Sequence, residues 1–269
     1  MVRVLLVGTS GFIGAAYRLA AVGRGDGVVD LHYGADFGAV DFSGFDAVVN
    51  AACDPRYRVS AYDEALDVDL RLARALAASG APATYYMLSS RKVYGAHAPF
   101  PATETAPIAP TDVYGVNKAL TEAALSALPL AGLAVLRIAN VYGDEVGRGS
   151  FFGAASRTLV QEGFVRLDIS PFTRRDFIHV DDFACVLAEL TAKKFTGVVN
   201  LGSGSSVELG RVALWLIEGF GSGRLICDSW EERDAFLLDS QKLKAWTSAH
   251  VGDVRSRCLE IGRNLKCKA

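Results

Sequence analysis

An α/β fold is predicted: a doubly wound parallel sheet with helices on both faces and a small C-terminal subdomain. Three observations predict it. Short β-branched runs alternate with alanine- and leucine-rich helical stretches as far as Leu201. The first apolar run leads straight into a glycine-rich turn and then a helical stretch. Beyond Leu201 the alternation weakens, which sets off a smaller terminal region.

Taken in order, residues 2–7 are a Val/Leu-rich strand, and residues 12–21 are helical. Residues 28–33 and 46–50 read as the next two strands. Residues 62–78 form a longer helix carrying outward charges, and residues 85–89 a strand. Residues 111–128 are helical, 133–138 extended, 180–191 helical, and 198–201 close the sheet. Pro99, Pro101, Pro107 and Pro110 exclude regular structure between 96 and 111, a loop placed beside the active site. Further helices are expected near 207–220 and 253–264.

With 269 residues, 51% of them hydrophobic, the chain can bury a sizeable core. Its 28 basic residues nearly balance 30 acidic ones and form no block, so neither nucleic acid nor a membrane surface is expected as a partner. Five scattered cysteines show no metal-ligand or CxxC spacing, which suits a reducing cytoplasm; no metal is expected. The run at residues 4–7 is too short for a signal peptide or a spanning helix.

The turn Gly8-Thr9-Ser10-Gly11-Phe12-Ile13-Gly14 fits a dinucleotide-phosphate loop of Rossmann type. Gly8 allows the tight turn, Gly11 lets backbone approach a pyrophosphate, and Gly14 permits close packing of helix on sheet. The start of the helix supplies N–H donors. Asp41-Phe42 offers a carboxylate to an adenine amine, or is simply a solvated loop acid. Asn50-Ala51-Ala52 ends a strand, its alanines small enough for a cofactor to lie against the backbone.

Tyr114 stands four residues before Lys118, so phenol and ammonium share one helix face, one turn apart. Moving hydride to or from a carbon that bears oxygen requires moving a proton on that oxygen. A phenol titrates at about 10, and bringing it to about 7 takes ~4 kcal/mol of preferential phenolate stabilisation. An ammonium and an oxidised nicotinamide can supply it. The plain alternative for this pair is a Tyr and a Lys on an amphipathic surface helix.

These motifs, with Leu88-Ser89-Ser90-Arg91-Lys92-Val93-Tyr94-Gly95, Arg137-Ile138-Ala139-Asn140-Val141-Tyr142-Gly143 and Arg175-Asp176-Phe177-Ile178-His179-Val180-Asp181-Asp182, resemble the extended short-chain dehydrogenase/reductases. Within these, the chain is similar to the NAD-dependent epimerase/dehydratase family acting on nucleotide sugars, over nearly its whole length. The resemblance implies that Ser90 orients the reacting oxygen, that Tyr114 exchanges its proton, and that Lys118 holds the ribose and lowers the tyrosine pKa. It further implies that Arg175 and Asn140 lie near a substrate diphosphate. Arg175 offers the planar fork phosphate oxygens need, although a structural pair with Asp176, Asp181 or Asp182 is the alternative; Arg174 could substitute. Two regions are expected: a dinucleotide-binding domain of residues 1–143 with 178–203, and a substrate-binding region of residues 144–177 with 204–269.

Several residues depart from the family pattern. Simple alignment puts His32 where members that prefer NAD carry an acid, with Asp30 two residues earlier, so the choice between NAD and NADP stays open. Arg91-Lys92 replaces the Asp-Glu of sugar 4,6-dehydratases, which argues against dehydration and for either an anionic substrate group or a salt-bridge cluster. Asp67 replaces a customary asparagine, so a proton relay there differs. The short C-terminal portion favours reduction over 4-epimerisation, and Arg233 is a further phosphate candidate. His97 is placed near substrate and His179 is read as structural.

The expected function is reduction of a keto group on a nucleotide-linked sugar. A nucleotide-sugar epimerase is the runner-up, and a non-catalytic nucleotide-binding or redox-sensing protein is a third reading. A homodimer could form through the helices at 62–78 and 111–128.

Overall fold

The computed structural model describes residues 1–145, 147 and 149–268. Val146, Arg148 and Ala269, which fall in the expected substrate-binding region, lie outside the described residues. A six-stranded parallel sheet is built from β1 (Arg3–Val7), β2 (Gly27–Leu31), β3 (Ala47–Asn50), β4 (Thr84–Ser90), β5 (Gly132–Ile138) and a last strand, Gly197–Leu201. These are the six strands expected, with ends displaced by one or two residues. β1 lies between β2 and β3, so the chain reverses its direction of growth there. Ligands of open α/β sheets bind in the crevice at the carboxyl ends of such a pair.

Helices α1 (Phe12–Gly23), α2 (Val68–Ser79) and α3 (Val113–Ser126) connect the early strands. Residue alternation assigns the two faces. Val4 and Leu6 point into a core with Tyr17 and Ala21 of α1 and with Phe183 and Val186. Leu5 and Val7 point into the opposite core with Leu72 and Leu76 of α2 and Leu125 of α3. The helix expected to start at residue 62 begins six residues later, because the Asp67 side chain accepts from the Leu70 N–H and caps it. β2 ends at Leu31, two residues early, as Nδ1 of His32 accepts from Gly34 N in a turn.

The second part of the molecule adds, to the three helices and the last strand expected there, elements that alternation did not reveal. β6 (Asn140–Tyr142) is followed by α4 (Phe151–Glu162), β7 (Phe164–Leu167), β8 (Arg174–His179), α5 (Val180–Ala192) and β9 (the Gly197–Leu201 strand). Then come β10 (Ser206–Glu208), α6 (Leu209–Phe220), β11 (Arg224–Cys227), α7 (Gln241–Trp246) and α8 (Val254–Lys268). β10, β8 and β6 make a small sheet, and β11 pairs with β7. Phe152, Leu159, Val212, Leu216, Ile261 and Leu265 from α4, α6 and α8 pack beneath them as a separate core. No helix among the described residues is long and apolar enough to cross a membrane.

Candidate active site

The glycine turn sits in the crevice between β1 and β3. Gly8 has a φ of +90°, and a Cβ there would come within 2.7 Å of the Ala52 nitrogen. A Cβ on Gly14 would collide with the Gly8 carbonyl. Gly11 donates its N–H to that carbonyl at 3.1 Å and caps α1, with no side-chain cap and no acid in the first turn. The loop, the backbone of Ala51 and Ala52 and the positive end of α1 therefore fit a pyrophosphate. Ile13 packs partly into the sheet core and Phe12 lies beside Gly143, so both serve this loop through backbone.

The other residues expected to bind the cofactor behave differently. Asp41 is fully exposed and its carboxylate accepts from Ser43 N, while Phe42 is buried in the core. Asn50 is buried and engaged within the chain: its amide donates to Asp69 at 2.8 Å and its oxygen accepts from Ala52 N. Asp30 is engaged by Arg18 of α1 at 3.2 Å, which leaves His32 at the end of β2.

α3 begins at the Asp112 cap, whose carboxylate accepts from Gly115 N at 2.8 Å. Tyr114 is half-buried in its first turn, and Lys118 Nζ lies 6.0 Å from the Tyr114 ring centre. Tyr57 meets the Tyr114 ring edge-on at 6.3 Å, and the Arg58 guanidinium stands 5.5 Å from its centre. Ser90 ends β4, with its Oγ accepting from Lys92 N. The turn that follows, Arg91–Tyr94, packs on α3 so tightly that a Cβ on Gly115 would come within 2.6 Å of the Lys92 carbonyl. Lys92 and Asp112 close the junction at 2.5 Å. Ser90 thus begins the turn that packs on α3, the helix carrying Tyr114 and Lys118.

Asp69 was not expected in the site. Its Oδ2 pairs with Lys118 Nζ at 3.0 Å, and both side chains are only 5% exposed. Its Oδ1 also accepts from Asn50 and, at 2.9 Å, from the Tyr85 hydroxyl. Burial pushes the Tyr114 phenol above its ordinary pKa; Lys118 and Arg58 pull it down, and Cys53 and Asp69 push it up. The lowering expected from Lys118 is thus outweighed within the chain's own groups. For Lys118 burial disfavours the ammonium, yet Asp69 and the neighbouring Tyr114, Tyr57 and Cys53 raise its pKa well above the usual value. Asp67 accepts from Thr121 and from Tyr62 besides capping α2.

On the substrate side, Arg91 is buried over the Phe236 ring and donates to both carboxylate oxygens of Asp234, at 2.5 and 2.6 Å. Arg175 reaches the same carboxylate at 3.2 Å, not Asp176, Asp181 or Asp182. Of these, Asp182 pairs with Arg257, and Asp176 accepts from Ser203 and Gly204. Arg174 points instead to Ser206. Arg175, Arg166, Arg233, Asp168 and Asp234 line a cavity of about 710 Å³ that Ser90 and Tyr114 do not border. Asn140 lies opposite Phe177 on the strand beside that of Arg175. His97 is exposed, and His179 caps α5 by accepting from Asp181 N.

Over residues 4–202 the chain matches the NAD dependent epimerase/dehydratase family. It belongs to that family. No curated protein matches it. Among solved structures, it resembles the NAD-dependent NDP-hexosamine 5,6-dehydratase TunA of tunicamycin biosynthesis (TM-score 0.82, 19% identity, 100% of this chain and 99% of the other). It also resembles RMD from Pseudomonas aeruginosa complexed with NADPH (0.82, 19%, 100% of both chains). A third is UDP-N-acetylglucosamine 4-epimerase from Methanobrevibacter ruminantium M1 (0.83, 18%, 100% and 99%).

For this member of the epimerase/dehydratase family, the likeness to the 4-epimerase extends over 99% of that chain, and the likeness to the other two structures over 99% and 100% of theirs. A signal for Asp69 did exist: an acid on the apolar face of a helix, flanked by Val68 and Leu70, has to be buried with a partner.

Proposed function

We propose that the chain is an NAD(P)-dependent oxidoreductase that reduces a keto group on a nucleotide-linked sugar, with Tyr114 as proton donor. The observation that carries this reading is Tyr114 and Lys118 one turn apart on α3, packed against the turn that Ser90 begins. The dinucleotide would rest on the backbone of residues 8–14, against Ala51 and Ala52, with Lys118 toward its ribose. When bound, it supplies or accepts hydride at the carbon. Tyr114 holds the proton at its phenolic oxygen, and Ser90 Oγ gives the reacting oxygen a second hydrogen bond that fixes its direction.

Arg175, with Asn140 on the adjoining strand, would take the diphosphate, and the cavity beyond would hold the nucleoside. Arg91 is held in place by Asp234, which engages two of its five donors. Ion pairs also occupy Lys92, so no acid or free cation follows Ser90 to assist a dehydration. Among the structural relatives, MoeE5 was solved with UDP-glucose and NAD, which agrees with this assignment of substrate class.

An epimerase is the second reading, supported by the match to a family whose description includes epimerases. Incubation with UDP- and dTDP-linked sugars and their keto forms separates the two. Consumption of added NADH or NADPH marks a reductase, and isomer formation without net consumption marks an epimerase. Neither outcome with any nucleotide sugar would remove the substrate class. We also infer a homodimer through α2 and α3, since α3 leaves Val113, Val116 and Leu120 exposed along one face; a monomer in light scattering overturns it.

A further inference from the structure

We propose that Asp234 is a built-in competitor for Arg175: anchored by Arg91, it contests that guanidinium with a ligand's phosphate and so sets how tightly the arginine-lined cavity holds a diphosphate. This rests on the reading of Arg175 as the diphosphate contact. Asp234 takes the Nε–Nη2 edge of Arg175, its backbone oxygen accepting from Nε at 3.1 Å and its carboxylate lying 3.2 Å from Nη2. A phosphate needs such an edge for a bidentate contact. The carboxylate is kept beside it, because Arg91 donates to both of its oxygens at 2.5 and 2.6 Å. The chain is also tied on either side: Glu231 O accepts from Ser170 N, and Phe236 N donates to Arg174 O.

The cavity's other arginines are paired more loosely. Arg166 meets Asp228 at 2.9 Å and Arg233 meets Asp168 at 3.2 Å, but these two arginine side chains are 52% and 50% exposed, so solvent screens both pairs. Arg175 is only 15% exposed and Arg91 8%, and there a charge acts through a lower effective dielectric. Asp234 is therefore the acid whose charge a phosphate at Arg175 meets most strongly. The contest has a use in turnover. Substrate and product of a reaction at the sugar carry the same diphosphate, so this contact is made equally before and after the chemical step. Strengthening it would tighten both without speeding the chemistry, and would slow release of the product.

The test is calorimetric titration with inorganic pyrophosphate, which carries neither base nor sugar, on protein saturated with NAD⁺ or NADP⁺ so that the glycine turn is filled. Asp234→Asn should bind pyrophosphate about fivefold more tightly or better, with the gain shrinking as salt is raised. Asp168→Asn removes the same charge from the same cavity at a side chain 86% exposed, and should change binding by less than about twofold. Binding by Asp234→Asn that is equal to or weaker than wild type overturns the proposal, as does an equal gain from Asp168→Asn. Residue 234 has a φ of +60°, which suits asparagine and glycine, so Asp234→Gly carries the same test if Asp234→Asn does not fold. Arg175→Ala separates this proposal from the reading beneath it. Weaker pyrophosphate binding keeps the diphosphate contact whatever Asp234 does, and unchanged binding removes that contact and this proposal with it.

Discussion

Arg91 and Asp234, 143 residues apart in the chain, are joined by two hydrogen bonds of 2.5 and 2.6 Å. The pair ties the turn after Ser90 to the wall of the arginine-lined cavity, because Asp234 also accepts from Arg175. A cation next to Ser90 in the chain is thereby converted into a fixed structural contact, and its residue number alone suggests nothing of the kind.

This pair should be felt in stability. Burial opposes the Asp234 carboxylate, yet the Arg91 hydrogen bonds and charge, with Arg175 and Lys92, hold its pKa below the ordinary range. A depressed carboxylate contributes stability that is present above its unfolded pKa of about 3.9 and lost as pH falls through the lower folded value. Asp234 remains 41% exposed, so screening keeps the effect modest. Asp234→Asn is expected to lose about 1–2 kcal/mol in urea unfolding at neutral pH, with a smaller gap to wild type in strong acid. Equal stability at neutral pH would show that the contact contributes nothing.

Tyr114→Phe removes the hydroxyl proposed to exchange the substrate proton while keeping the ring against Tyr57. Turnover should fall by about 10²- to 10⁴-fold, with NAD(P)H binding by fluorescence unchanged. Near-normal turnover excludes Tyr114 from the proton transfer.

Arg175→Ala should raise KM for a nucleotide sugar by about tenfold or more, the worth of a charge-assisted phosphate contact. Arg166 and Arg233 line the same cavity and set the residual affinity. An unchanged KM would place the diphosphate elsewhere.

Cofactor choice is expected to turn on the end of β2. Arg18 already engages Asp30, and His32 follows Leu31, the residue paired with Val7 just before the glycine turn. His32→Asp should shift the ratio of NADH to NADPH affinity toward NADH by about tenfold, since an acid there accepts from a ribose hydroxyl and repels a 2′-phosphate. A constant ratio would show that position 32 does not face the ribose.

The amino-acid sequence by itself determined the six-stranded sheet, the glycine turn at residues 8–14 and the Tyr114/Lys118 pair. Each is written in local periodicity or in a short spacing, which the backbone converts directly into shared faces. The three-residue strands β6 and β10, and the pairing of β7 with β11, carry too few residues for any period to register. Their partners lie far along the chain. The Asn50 bond to Asp69, the Asp234 clamp on Arg91 and Arg175, and the Asp69 pair with Lys118 were decided only by tertiary structure. Buried polar groups must find partners wherever packing places them, and nothing in the local sequence names a partner many tens of residues away.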